Sequence, residues 1–339
     1  MKKVNLAIVG ATGAVGVTMR EILEERNFPV DKIFLLASER SAGERVTFQG
    51  KSTMVQKLDD FDFAQVDIAL FSAGGAISKQ YAPIAAQAGA AVIDNTSEFR
   101  YQDDIPLVVS EVNPEKIADY KNHGIIANPN CSTMQMMVAL KPIQDAVGIR
   151  HINVSTYQAV SGSGQKAVEE LAKQTAQLLN AREVKSEAYD KQIAFNVLPN
   201  IDVIQDNGYT KEEMKMVWET QKILADVDIK VSPTAVRVPV FYGHSEAIHL
   251  QTKAPIEVSA VRQLLQDAQG VELVDNMQQL DYATPVTHAS GKDGVFVSRI
   301  RKDIGLENGI AMWVVSDNVR KGAALNSVQI AEILVKNYL

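Results

Sequence analysis

Val4-Asn5-Leu6-Ala7-Ile8-Val9-Gly10-Ala11-Thr12-Gly13-Ala14-Val15-Gly16 opens the 339-residue chain with an apolar, partly β-branched run that stops at a glycine. An amphipathic spacing follows in Val15, Met19, Ile22 and Leu23, so the stretch reads as strand, turn and helix. Its glycines fall as G-x-x-G-x-x-G, one residue longer at the first gap than the dinucleotide fingerprint. Glycines at such a turn let the backbone approach a pyrophosphate, whose charge is met by the N–H groups of the helix start. An ordinary glycine-rich turn has the same composition, so the neighbouring segments have to decide.

They repeat the alternation. Residues 32–37 form a second strand candidate that ends in Ser38-Glu39-Arg40-Ser41. An acidic residue there serves the ribose hydroxyls of NAD, whereas hydroxyls and a cation serve the 2′-phosphate of NADP. Ser38 and Arg40 favour NADP, and Glu39 dissents. Residues 67–71 give a buried strand followed by Ser72-Ala73-Gly74, small enough for a cofactor to lie against the backbone. A helix over 77–88, strands at 91–93, 107–109 and 124–127, and a helix over 114–121 complete a largely parallel α/β sheet. Asp94-Asn95-Thr96-Ser97-Glu98-Phe99-Arg100 lies at a strand's carboxyl end, where ligand sites of such sheets form. Arg100 there suits an anion or merely solvent.

The second landmark is Asn128-Pro129-Asn130-Cys131-Ser132-Thr133, which holds the only cysteine. An apolar run enters it and a helix-like run leaves it, placing the thiol at a helix N-terminus, where the dipole favours thiolate. A lone cysteine is also commonly a small buried apolar residue. Beyond it the texture changes. Strand-like runs at 152–160, 235–240 and 244–252 and a helix over 165–179 imply a mixed sheet with helices on one face, an α+β plan. Arg237 and His244 flank a Pro- and Gly-containing turn, and imidazole is the side chain best matched to proton transfer near neutrality. Glu212 and Lys215 stand at helical i, i+3 spacing, which by itself describes a surface ion pair. A helix near the end, through Val328, Ile330, Ala331 and Leu334, is expected to pack back on the first domain.

Composition limits the rest. With 46% apolar and 22% charged residues the chain is that of a globular protein, and its length implies two domains. A net charge of -7 argues against nucleic-acid binding. One cysteine requires no oxidising compartment, and no uncharged apolar run reaches the roughly 18 residues of a membrane span, so a cytoplasmic protein is expected. The Met1-Lys2-Lys3 start followed by an apolar run has the order of a signal peptide, but the run is short and its glycines carry the reading above. No metal site is expected.

Taken together, the Gly10 to Gly16 turn, Ser97-Glu98-Phe99-Arg100, Asn128 to Thr133, Gln158 with Ser161-Gly162, Glu212 with Lys215, Arg237 to His244 and Asn318 to Gly322 resemble the aspartate-semialdehyde dehydrogenase family along nearly the whole chain. The order and spacing of these segments together carry the resemblance. It implies a Rossmann-like NADP-binding domain, 1–130 with 318–339, and a catalytic and dimerisation domain, 131–317, in a homodimer. It further implies reversible reduction of L-aspartyl 4-phosphate to L-aspartate 4-semialdehyde and phosphate, on the route to lysine, methionine and threonine. In that reading Cys131 is the nucleophile, His244 the acid/base, and Gln158 positions the thiol. Arg237 holds the substrate carboxylate, Glu212 its ammonium, and Arg100, Lys215 and Asn130 the phosphate. Gly10, Thr12, Gly13, Ala14, Val15 and Gly16, then Ser38, Arg40 and Ser41, then Ser72, Ala73 and Gly74, and finally Ser161, Gly162 and Asn318 are expected to line the cofactor.

Two other readings compete. N-acetyl-γ-glutamyl-phosphate reductase is similar in plan, but its substrate has no free ammonium for Glu212 to neutralise. A catalytically silent NADP-binding homologue would not need both Cys131 and His244.

Overall fold

The computed structural model describes residues 2–339. They divide into two compact units, one running to Asn130 and resumed by Ala323–Leu339, the other Cys131–Gly322. The resumption falls a little later than residue 318 because Asn318 is tied into the second unit, accepting from Gly243 N–H at 2.9 Å.

The first unit is built on a sheet of β1 (Val4–Val9), β2 (Val30–Ala37), β3 (Arg45–Phe48), β4 (Lys51–Lys57), β5 (Ile68–Phe71), β6 (Ala91–Asp94) and β7 (Ile125–Ala127). Their order is β3-β4-β2-β1-β5-β6-β7, parallel throughout except that β3 runs against β4. A parallel sheet is covered on both faces and so tolerates no polar alternation: all four residues of β5 are buried. The strand order reverses at β1, with β2 on one side and β5 on the other, and α1 (Ala14–Glu25) and α2 (Gly75–Gln87) start from the carboxyl ends of β1 and β5. Open α/β sheets bind their ligands at such a reversal.

Two features depart from expectation. The β3–β4 hairpin turns on Gln49 and Gly50, both at positive φ (48° and 71°), the geometry that matches the twist of paired strands. Residues 107–109 form only an isolated bridge, Leu107 to Ala127, and not a full strand. Side chains satisfy that backbone instead: Asn113 accepts from Val109 N–H and donates to Leu107 O, each at 2.9 Å, and Asn326 donates to Val108 O at 2.9 Å. Asn326 begins the C-terminal helix Asn326–Asn337 and also donates to Asn128 Oδ1 at 2.5 Å. Asn128 in turn donates to Asn95 Oδ1 at 2.8 Å. Through this buried network the C-terminal helix joins the first unit and braces the loop that leads to Cys131.

The second unit holds a mixed sheet of β8 (Ile149–Gln158), β9 (Lys230–Arg237), β10 (His244–Thr252), β11 (Val271–Leu273), β14 (Val295–Lys302) and β15 (Gly309–Ser316), ordered β11-β14-β15-β10-β8-β9. A two-residue ladder, β12 (Asp275–Asn276) with β13 (Asp281–Tyr282), stands apart from it. Pro233 is accommodated because β9 is an edge strand. Helices α3 (Cys131–Val147), α5 (Lys211–Leu224) and α6 (Val258–Gln266) pack together on the sheet, while α4 (Gln165–Leu179) follows the turn at 160–163. Alternation along β10 turns His244, Glu246, Ile248 and Leu250 to one face, and all four are fully buried.

Candidate active site

In the first unit the glycine turn has the close packing its sequence implies. Gly10 has φ +89°, and a Cβ there would lie 2.9 Å from the carbonyl carbon of Ser72; a Cβ on Gly16 would lie 2.2 Å from Gly10 O. Any larger residue would force β1, α1 and the loop after β5 apart. Gly13 caps α1 without a side-chain hydrogen bond, so no cap side chain takes the first amides of the helix, donors of the kind that meet an anion. Thr12 sits in the same turn, Ala14 and Val15 open α1, and Ala73 and Gly74 follow Ser72 at the end of β5. After β2, Ser38 and Arg40 are exposed and Ser41 is buried. Glu39 lies 3.9 Å from Lys57, a cation it shares with Asp59 and Asp60. Arg100 is buried and donates to Asn95 O at 2.9 Å in the loop after β6; Asn130 is buried and immediately precedes Cys131.

The second unit gathers most of the chemistry. Cys131 is the first residue of α3 and is partly accessible. The next side chain, Ser132, accepts from Gln158 Nε2 at 3.0 Å, and the same nitrogen points at Glu212 Oε1 at 3.2 Å. Glu212 also accepts from Lys215 at 2.8 Å, and Lys215 reaches Asp202 at 2.9 Å. Burial works to lower the Lys215 pKa, but the two carboxylates together hold it above the ordinary lysine range.

Local capping separates the two adjacent glutamates at the start of α5. Thr210 and Glu213 form a reciprocal capping box, and the other Glu213 oxygen accepts from Ala235 N–H at 2.9 Å. Glu213 is therefore occupied by structure, and Glu212 is the one turned to Gln158.

His244 and Arg237 meet around the backbone of one residue, Ala159. Ala159 N–H donates to His244 Nδ1 at 3.0 Å, and Ala159 O accepts from Arg237 Nη1 at 2.7 Å. A backbone N–H is always a donor, so Nδ1 must accept and the neutral ring carries its proton on Nε2. Burial, reinforced by the Arg237 cation and partly offset by Glu212, pushes the His244 pKa down to about 3. Nε2 of His244 and Nε of Arg237 are buried and have no hydrogen-bond partner among the described residues. These are two unmet donors in one place. Gly162 leaves the space for them: a Cβ there would lie 2.9 Å from Arg237 Nη1 and 3.2 Å from His244 Nε2. Arg237 also lines a cavity of about 570 Å³ with Ser163 and Asp202. Asn318 is bonded to Ser161 and to the Gly243 N–H that precedes His244.

Residues 5–120 match the model for "Semialdehyde dehydrogenase, NAD binding domain" and 140–321 that for "Semialdehyde dehydrogenase, dimerisation domain". An aspartate-semialdehyde dehydrogenase of Shewanella violacea is 62% identical over 334 residues, covering 98% of both chains. The chain belongs to the aspartate-semialdehyde dehydrogenase family. The Bacillus subtilis member is 52% identical, over 98% of this chain and 97% of its own. A crystal structure of the Vibrio cholerae enzyme II, complexed with ASA, matches with TM-score 0.98 at 60% identity over the whole of both chains. One from Candida albicans, with NADP, matches with TM-score 0.78 at 27% identity, covering 98% of this chain and 99% of its own.

Within this member of the aspartate-semialdehyde dehydrogenase family, Cys131, Gln158, Ser161, Gly162, Glu212, Lys215, Arg237, His244 and Asn318 all lie in the second unit, while Arg100 and Asn130 lie in the first. Ala159 and Asp202 were not among the sequence candidates. Ala159 acts through its backbone N–H and C=O, which no side-chain pattern reveals. Asp202 carries no motif signal and matters because it shares Lys215.

Proposed function

We propose that the chain is an NADP-dependent, phosphorylating aspartate-semialdehyde dehydrogenase. It would interconvert L-aspartyl 4-phosphate with L-aspartate 4-semialdehyde and phosphate, in the cytoplasm and on the route to lysine, methionine and threonine. The observation that carries the reading is the pair of unmet donors, His244 Nε2–H and Arg237 Nε, gathered in the unit whose first residue is the helix N-terminal Cys131. The family relationship supports the substrate.

In the reductive direction the Cys131 thiolate attacks the acyl carbon. The C–S bond forms, the C–O bond to phosphate breaks, phosphate leaves, and a thioester remains. NADPH, when bound, supplies the hydride that reduces the thioester carbon. Breaking the C–S bond then returns the thiolate and frees the aldehyde. Beginning and ending as thiolate, the sulfur needs no net proton, and the one proton the reduction consumes passes from solvent to the departing phosphate. That suits an imidazole fixed with its proton on Nε2, which donates to the carbonyl oxygen whenever that oxygen carries negative charge. The donor half of an acid/base role is thus the half this geometry supports.

Arg237 has a free Nε and a planar fork suited to the substrate carboxylate. Glu212 offers its carboxylate to the ammonium, and Lys215, Arg100 and Asn130 offer cations and an amide to phosphate. The buried Glu212 favours a substrate with a free ammonium over an N-acetylated one. The α1 amides without a side-chain cap and the Gly10 and Gly16 packing suit a pyrophosphate, and Arg40 with Ser38 and Ser41 suits a 2′-phosphate. The dimerisation-domain match supports a homodimer. Apolar side chains exposed on the second unit, including Phe195, Val203 and Ile204, are consistent with one.

The test is the absorbance of reduced nicotinamide with L-aspartate 4-semialdehyde and NADP+, with and without phosphate. Phosphate-dependent formation is expected, absent in Cys131→Ala. Faster turnover of N-acetyl-glutamate 5-semialdehyde would overturn the substrate, and turnover by Cys131→Ala would overturn the mechanism.

A further inference from the structure

Glu246 lies two residues beyond His244 on the same face of β10, wholly buried, at the centre of the sheet. Its register partners are Thr156 on β8 and Val314 on β15, and from α3 it meets the side chain of Gln135. None of these is charged, and His244 on the same face is neutral. No cation among these neighbours compensates a carboxylate. Both Glu246 oxygens, and Oε1 of Gln135, are buried without a hydrogen-bond partner among the described residues. Gln135 Nε2 makes a long contact, 3.5 Å, to His244 O.

These unmet groups resolve together if the carboxyl is protonated. A carboxylic acid and a carboxamide form a two-bond pair: the acid O–H donates to the amide oxygen and the amide N–H donates to the acid carbonyl. Burial raises the Glu246 pKa well above the ordinary range, against a smaller lowering by the side chain of Gln135.

Position gives the pair its consequence. Gln135 is one helical turn beyond Cys131, and Glu246 is one strand repeat beyond His244. We propose that Glu246 is a positioning residue whose acid–amide pair with Gln135 ties the helix carrying Cys131 to the strand carrying His244. The inference rests on Cys131 and His244 being the reacting pair. The tie sets the distance between them and touches no substrate.

The test compares Glu246→Leu, Glu246→Gln and the double variant Gln135→Leu/Glu246→Leu in the phosphate-dependent assay. Glu246→Leu should lower kcat roughly tenfold to a hundredfold, the scale of a small misplacement of reacting groups, with KM for the semialdehyde nearly unchanged. Its thermal midpoint at neutral pH should fall, because buried Gln135 is left without its partner, and the double leucine variant should recover part of the loss. Glu246→Gln can make the same two-bond pair and should keep kcat within about threefold, well short of the roughly tenfold loss expected of the leucine variant. The double variant removes both polar partners, so it should fold even if the single leucine variant does not, and should show the same loss of kcat. Near-normal kcat in either leucine variant, or a glutamine variant as slow as the leucine one, would overturn the tie. Cys131→Ala run alongside separates the two failures: if it still turns over, the site reading is wrong, whereas if it is dead and Glu246→Leu is normal, only the tie is wrong.

Discussion

Ala159 N–H donates to His244 Nδ1 across 3.0 Å, and that one bond decides which nitrogen of the ring holds the proton. A second proton on Nδ1 would point at the amide hydrogen, so the imidazolium is disfavoured by geometry as well as by burial. Nε2–H is then a fixed donor in a water-poor setting, where such donors stabilise developing negative charge most. Replacing His244 by Ala should lower kcat by about 10²–10³, the cost of removing one oxyanion donor, while leaving Cys131 open to alkylation. The ratio of variant to wild-type kcat under saturating substrate checks it. A loss confined to KM would assign His244 to binding instead.

The same ring gives stability a pH dependence whose sign can be worked out. The ordinary histidine value is 6.5 and the folded value is about 3. Between those values the unfolded chain takes up a proton that the folded one refuses. The His244 contribution is therefore whole above 6.5 and is lost as pH falls toward 3. The slope approaches about 1.4 kcal/mol per pH unit within that window. Thermal midpoints of wild type and His244→Leu across the window should diverge in slope, with the variant flatter. Parallel curves would mean that His244 is not neutral in the fold.

Glu212 and Glu213 are adjacent but should fail in different ways. Glu213 closes the capping box and accepts Ala235 N–H, so Glu213→Ala should cost about 1–3 kcal/mol of stability. Its KM should change little. Glu212→Gln removes a charge that faces Gln158 and Lys215, and it should raise KM for the amino-acid substrate with a smaller change in thermal midpoint. Unfolding curves and KM values on the two proteins decide. If Glu213→Ala raised KM and Glu212→Gln did not, the assignment would be reversed.

Much of the site was legible because its chemistry sits where chain patterns change. The first glycine turn, the strand-to-helix junction at Cys131 and the turn before His244 each mark a break in hydrophobic periodicity, and each begins or ends an element in the structure. What was not legible depends on partners distant in sequence. Residues 107–109 look like a strand, but Asn113 and Asn326 take their backbone groups. The β3–β4 hairpin hides behind a Gln49-Gly50 turn and a polar partner strand, without the Asn-Gly pair that marks such turns. The choice between Glu212 and Glu213 needed the cap geometry. Glu246 was invisible because a carboxyl inside a strand reads as a solvent-facing residue until the sheet is closed over it.

Cofactor preference turns on the loop after β2, where Glu39 and Arg40 argue in opposite directions. An acidic side chain that bound ribose hydroxyls would have to turn inward, yet Glu39 is 84% exposed and lies 3.9 Å from Lys57. An exposed pair of this kind contributes little to stability, about 0–1 kcal/mol, but it draws the carboxylate toward a neighbouring lysine. Arg40 remains as the cation of that turn, with Ser38 and Ser41 beside it. Arg40→Ala should raise KM for NADP+ roughly tenfold to a hundredfold, the worth of one charge-assisted contact to phosphate, and change KM for NAD+ far less. Glu39→Gln should leave KM for NADP+ within about twofold, as expected for a screened surface charge. Initial rates with the two cofactors at fixed semialdehyde and phosphate give both numbers. Equal losses with NADP+ and NAD+ in Arg40→Ala would remove the arginine from 2′-phosphate recognition, and a selective loss of NAD+ use in Glu39→Gln would restore the carboxylate to the ribose.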